Sequence, residues 1–84
     1  MSLATSFYKS ALPRGTYRHY KGKLYQVMGT ARHSETEEEL VVYAPLGQAE
    51  GKAQLWVRPL GMFTETVTVD GQETPRFAFV SEAE

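Results

Sequence analysis

The sequence predicts a mainly β domain, either a small SH3-like barrel or a strongly bent antiparallel sheet of five to six strands with one short helical turn. Three observations carry that expectation. Short runs rich in Val, Tyr, Phe and Thr recur from Gly15 onward, and Gly, Pro and Asp-Gly turn signals separate them. Helix-favouring stretches are few. A sheet curled this strongly also leaves few open edges, which suits a short chain.

Taken in order, residues 16–20 alternate large and polar side chains, Lys21-Gly22-Lys23 is a tight turn, and residues 24–31 form the second arm of a hairpin. Leu40-Val41-Val42-Tyr43-Ala44 is too β-branched and too short to prefer helix, and Pro45 with Gly47 closes it. Residues 53–58 make the next strand. Pro59 lacks a donor and cannot continue a central strand, so Pro59-Leu60-Gly61-Met62-Phe63 reads as a one-turn helix or 3₁₀ segment. Thr66-Val67-Thr68-Val69 and Arg76-Phe77-Ala78-Phe79-Val80, flanking Asp70-Gly71, are expected to pair as a second hairpin. One local signal competes: Ser34-Glu35-Thr36-Glu37 has the form of a capping box, which would open a helix over residues 35–43. A single helical turn before a strand satisfies both signals.

The chain has 84 residues, no cysteine, nine basic and ten acidic side chains, and a formal charge of −1. At this size folding removes only about 60–65% of the surface that the unfolded chain exposes, so the core is small and each aromatic in it matters. Residues 1–14 read as an N-terminal arm or short helix ending at Pro13, residues 15–80 as one β-rich domain, and residues 81–84 as a polar tail. No disulfide framework, thiolate nucleophile or cysteine-type zinc site can form, which fits a cytoplasmic location. No apolar run has the length of a signal peptide core or a membrane span. The balanced charge argues against nucleic acid as a partner.

The candidate site residues fall in four short blocks. Tyr17-Arg18-His19-Tyr20 alternates in a strand, so Tyr17 and His19 share one face while Arg18 and Tyr20 share the other. His33 and Glu35 have the spacing of an acid–base pair or two metal ligands, but with His19 the only other histidine the ligand inventory is thin and no metal or cofactor is assigned. Trp56 and Arg58 could stack on and fork an anionic or aromatic ligand. Against that, the lone tryptophan of a small domain is more often a core anchor. Arg76, with Arg18 and Arg58, could converge on a phosphate or carboxylate; otherwise the three are rim arginines paired with Glu65, Glu73 or the acidic run Glu35 to Glu39. That acidic run lacks the spacing of a calcium loop.

These pieces, set in order, carry a resemblance. Gly15-x-Tyr17-Arg18-His19-Tyr20-Lys21-Gly22, Tyr25-x-Val27, Ala31-Arg32-His33-Ser34-Glu35-Thr36, Val41-Val42-Tyr43, Trp56-Val57-Arg58-Pro59-Leu60-x-Met62-Phe63, Val69-Asp70-Gly71 and Pro75-Arg76-Phe77 together look like the small bacterial proteins of domain of unknown function family 1653. The likeness covers residues 15–79. It implies a compact, mostly β, cytosolic bacterial domain without an established activity, and it assigns no catalytic residue. The functional expectation is a non-enzymatic binding module in which Tyr17, Arg18, His19, His33, Glu35, Trp56, Arg58 and Arg76 take an anionic or aromatic small ligand or a peptide. The alternatives are a small hydrolase-like or metal-dependent enzyme using His33 and Glu35, and a weak nucleic-acid-binding barrel. A homodimer is left open.

Overall fold

The computed structural model describes residues 12–48 and 54–82. Seven strands and one helical turn follow in the order β1 (Gly15–His19), β2 (Leu24–Arg32), β3 (Glu39–Pro45), β4 (Trp56–Pro59), α1 (Leu60–Phe63), β5 (Thr66–Val69), β6 (Gln72–Pro75) and β7 (Phe77–Glu82). Five of them form one antiparallel sheet in the order β4-β3-β2-β1-β7, and β5 with β6 forms a separate two-stranded sheet. The mainly β class with one helical turn is as expected. The SH3-like barrel is not formed: the sheet stays open, because β4 and β7 end at opposite edges instead of meeting. Among the described residues no helix is long and apolar enough to cross a membrane.

The first hairpin forms as its turn dictates. The Gly22 N–H donates to the His19 carbonyl at 2.7 Å and the His19 N–H to the Lys23 carbonyl at 2.8 Å, which sets Tyr17 opposite Tyr25. Strand β2 bulges between Val27 and Gly29, where Gly29 takes φ 151°, a value that disfavours a side chain. Beyond the bulge Thr30 faces Val41. The segment between β2 and β3 is one turn, not a helix over residues 35–43. Its Glu37 N–H donates to the His33 carbonyl at 2.9 Å, and the His33 N–H to the Glu38 carbonyl at 2.8 Å. The β-branched run after it then pairs along β2.

The second hairpin differs from expectation in its partner. Asp70 and Gly71 both have positive φ, 51° and 78°, the signature of a type I′ turn that joins strands directly on either side of it. Val69 therefore pairs with Gln72, and the partner of β5 is Gln72–Pro75. Pro75 and a bend at Arg76 release the chain, so Phe77–Glu82 crosses to pair with β1, His19 opposite Phe77. Strand β7 runs through Ser81 and Glu82, two residues into the expected tail. Much of the expected N-terminal arm lies outside the described residues.

The core sits on one face of the large sheet. Tyr17, Val27, Val41, Tyr43, Phe63 and Phe77 are its buried members, with Leu12, Tyr25 and Leu60 packed against them. The α1 turn exists to deliver Phe63. Pro59 ends β4, the Thr64 N–H and hydroxyl both close on the Leu60 carbonyl at 3.0 and 2.9 Å, and Phe63 drops onto Phe77 with ring centroids 4.0 Å apart. Tyr17 and Tyr43 meet Phe63 edge-on at 5.5 and 5.4 Å. Trp56, whose more frequent role in so small a domain is core anchor, remains 42% exposed, and Phe79 is 47% exposed.

Candidate functional site

Cross-strand register decides which candidate residues meet. Arg58 stands opposite Val41 and Trp56 opposite Tyr43, so both lie on the core face of β4, beyond its packed centre. His19 pairs with Phe77 on the same face at the other end of β1. The rings link these positions: His19 lies 6.2 Å from Tyr25 and 4.9 Å from Phe77, and Tyr25 lies 6.5 Å from Trp56. The Arg58 guanidinium rests 5.8 Å over Phe77 and donates through Nε to the Tyr43 hydroxyl at 3.1 Å. Arg58 is thus anchored at its Nε, and no carboxylate among the described residues forms an ion pair with it.

Arg76 arrives from the bend between β6 and β7. Its N–H donates to the Glu65 carbonyl at 3.0 Å, its carbonyl accepts the Tyr20 N–H at 2.9 Å, and its guanidinium meets the Glu65 carboxylate at 2.6 Å. These bonds pin the β5–β6 hairpin to the end of β1. The pair is partly exposed, so its value to stability is small and its role is placement. The Arg76 Nε is buried without a hydrogen-bond partner among the described residues.

His19 reports the electrostatics of the assembly. Its Nδ1 accepts the Lys21 N–H at 3.1 Å, which leaves the proton of the neutral ring on Nε2. Burial lowers its pKa first, and the positive charges of Arg76, Lys21 and Arg58 lower it further. Those cations come from three separate parts of the chain and act on one imidazole.

The remaining candidates lie elsewhere. Tyr17 is buried and its hydroxyl donates to the Pro13 carbonyl at 2.7 Å; burial raises its pKa, and it is a core residue. Arg18 stands opposite Leu24 and Ala78 on the other face of the sheet, so the expected convergence of three arginines reduces to Arg58 and Arg76. His33 and Glu35 sit in the exposed β2–β3 turn. There the His33 Nδ1 accepts the backbone N–H groups of Glu35 at 3.1 Å and Thr36 at 3.3 Å, so the imidazole caps the turn and Glu35 meets it through its main chain. Both histidines of the chain use one device: Nδ1 accepting the N–H two residues ahead in a turn. Among the described residues no three His, Asp or Glu side chains gather as metal ligands.

Tyr25 belongs to the assembled face although sequence reasoning did not select it, and the Lys21 ammonium lies 5.8 Å over the Tyr20 ring, which stands 4.5 Å from His19. The signal for Tyr25 was available in the turn at Lys21-Gly22-Lys23, whose length alone sets Tyr17 against Tyr25.

The fold and this face define a small open-sheet β domain with an aromatic and cationic patch beside its core. The chain belongs to the family described as protein of unknown function DUF1653, whose model matches residues 15–79. It is similar to a crystal structure of a DUF1653 protein from Bordetella bronchiseptica, with 39% identity and a TM-score of 0.74 over 88% of this chain and 94% of that one. No curated protein matches it.

Proposed function

We propose that the domain is a non-enzymatic binding module for a small anionic ligand carrying an aromatic group, or for a peptide segment offering the same chemistry. The observation that supports this reading is the face on which Arg58 lies over Phe77, whose ring is 4.9 Å from His19, beside a half-exposed Trp56 and a partly buried Tyr25. Arg58 supplies a charged fork held at its Nε by Tyr43, His19 supplies an Nε2–H donor held at its Nδ1 by Lys21, and Trp56 supplies a flat apolar wall. Side chains fixed at one end lose less freedom when a ligand takes the other.

The two histidines make the test internally controlled. An anion seated beside Arg58 stabilises the imidazolium, so benzoate or inorganic phosphate should raise the His19 pKa in an NMR titration and perturb its ring signals, while the His33 ring signals at fixed pH stay in place. Benzoate should also change Trp56 fluorescence. If both histidines respond alike to these anions and to chloride at equal ionic strength, there is no site on this face.

A further inference from the structure

One residue closes the β1–β2 turn through three of its groups. The His19 N–H donates to the Lys23 carbonyl at 2.8 Å, its carbonyl accepts the Gly22 N–H at 2.7 Å, and its Nδ1 accepts the Lys21 N–H at 3.1 Å. The two backbone bonds are indifferent to pH. The third exists only while Nδ1 keeps a free lone pair, because an imidazolium carries a hydrogen on both ring nitrogens and accepts nothing. Protonation therefore sets two donors, Nδ1–H and the Lys21 N–H, against each other where one hydrogen bond stood.

The surroundings of the ring also oppose its charge. Burial acts first, and positive charges add to it from three parts of the chain: Arg76 from the bend before β7, Lys21 from the turn itself and Arg58 from β4. Lys23, whose ammonium lies 5.9 Å over the Tyr25 ring, brings a further positive charge to this end of the sheet. The other groups packed on the imidazole are aromatic: Tyr20 at 4.5 Å, Phe77 at 4.9 Å and Tyr25 at 6.2 Å. Among the described residues no carboxylate pairs with His19, and Glu65 is engaged by Arg76.

We propose that His19 is a pH-operated latch on the β1–β2 turn: the neutral imidazole holds the turn closed on Lys21, and the imidazolium releases it. The sign follows from which state binds the proton more readily. An open turn presents His19 to water, near its ordinary value of about 6.5, whereas the closed turn binds the proton more weakly. The closed form is therefore favoured above that value and loses ground as pH falls through it. Release does not stay within the turn. The Tyr20 N–H donates to the Arg76 carbonyl at 2.9 Å, and Arg76 holds Glu65 through its N–H at 3.0 Å and its guanidinium at 2.6 Å. The residue next to the latch is thus the one that ties β1 to the neck of the β5–β6 hairpin, and acid loosens that tie together with the turn. His33 has no part in this, because it caps the turn at the other end of β2. The latch does not depend on the ligand reading above; a latch that operates in a protein indifferent to benzoate would leave that reading alone refuted.

Proton–nitrogen NMR of the full chain, titrated from about pH 8 to about pH 5, tests the latch. The Lys21 amide signal should move with the same midpoint as the His19 ring protons and the Tyr20 amide should follow it, while the amide of Val41, inside the β2–β3 pairing, stays in place. Hydrogen exchange at Tyr20, scaled to that of an unstructured chain at each pH, should be several-fold less protected at the acid end. Lys21 and Tyr20 signals that stay still through the His19 titration overturn the proposal. At the alkaline end a long-range spectrum of the ring should place its proton on Nε2; a proton on Nδ1 overturns the proposal without any variant. His19→Asn keeps a side-chain acceptor for the Lys21 N–H and cannot titrate, so its Lys21 signal should hold still across the range. A variant signal that still moves at the wild-type midpoint refutes the latch, and if the variant fails to fold, the wild-type tautomer and the coincidence of midpoints decide.

Discussion

Replacing His33 by alanine separates a structural from a chemical reading of the His33-Ser34-Glu35-Thr36 block. The imidazole accepts two backbone N–H groups, from Glu35 at 3.1 Å and Thr36 at 3.3 Å, in a turn where Glu37 holds φ 62° and Arg32 braces the Glu37 carbonyl at 3.1 Å. Losing a cap of this kind costs about 0.5–2 kcal/mol in helices. Both donors here are exposed and regain water when the ring is removed, so the lower half of that range applies, about 1 kcal/mol. In a domain of this size that lowers the melting temperature by about 4–8 °C. Asparagine offers a shorter acceptor to the same groups and should recover a substantial part of the loss. Thermal unfolding followed by circular dichroism gives both numbers. A His33→Ala protein as stable as the wild type would refute the capping argument, and would return His33 to the pool of residues free for chemistry.

The remaining predictions probe the core, the turn, the face and its titration. Phe63→Ala empties the centre of the aromatic cluster at a cost of about 3–5 kcal/mol, a large share of the stability of so short a chain, and should leave the protein largely unfolded by proton NMR at room temperature; a folded spectrum would contradict the placement of Phe63. Gly71→Ala meets no atom within 4 Å, so its effect isolates the left-handed backbone at φ 78° and should be a loss of about 1–2 kcal/mol in urea unfolding. Tyr43→Phe removes the acceptor of Arg58 Nε at 3.1 Å; stability should change by no more than about 1 kcal/mol, while any benzoate affinity measured for the wild type should fall several-fold. His19 has a folded pKa below its unfolded value of about 6.5, so the unfolded chain binds the proton first and stability falls as pH drops through and below that value. His19→Gln should flatten the pH dependence of the melting temperature in this window, and an unchanged slope would place its origin elsewhere.

Most of the fold was legible because its signals are local. The Lys21-Gly22-Lys23 turn, the β-branched run before Pro45, the helical turn after Pro59 and the Asp70-Gly71 turn each act over a few residues. What failed was long-range pairing. A two-residue Asp70-Gly71 turn already requires Val69 to pair with Gln72, so the expected pairing of residues 66–69 with 76–80 overlooked the turn's length; the crossing of Phe77–Glu82 to β1 is what no local signal shows. That choice rests on burial: pairing with β1 carries Phe77 over the core, where it stacks on Phe63 and contacts Tyr43 at 5.8 Å. The open sheet has the same origin, since β7 takes the edge beside β1 that closure would have left for β4.

The site followed the same division. Strand parity in Tyr17-Arg18-His19-Tyr20 already separated Arg18 from His19, and the sheet upholds it. The proximity of Arg76 to His19 was hidden, because it depends on the Tyr20 to Arg76 bond that the β7 crossover creates. Trp56 misled for a different reason. Large aromatics in small domains are usually interior because neighbours enclose them on both sides, and that assumes a strand flanked on both sides. Strand β4 has a neighbour on one side only, so a tryptophan on its core face is covered by Tyr25 and Tyr43 from within and by nothing among the described residues from without. Pro59 was the clue: a proline immediately after Arg58 marks an edge, and on an edge the Trp-Val-Arg-Pro run is not enclosed from both sides.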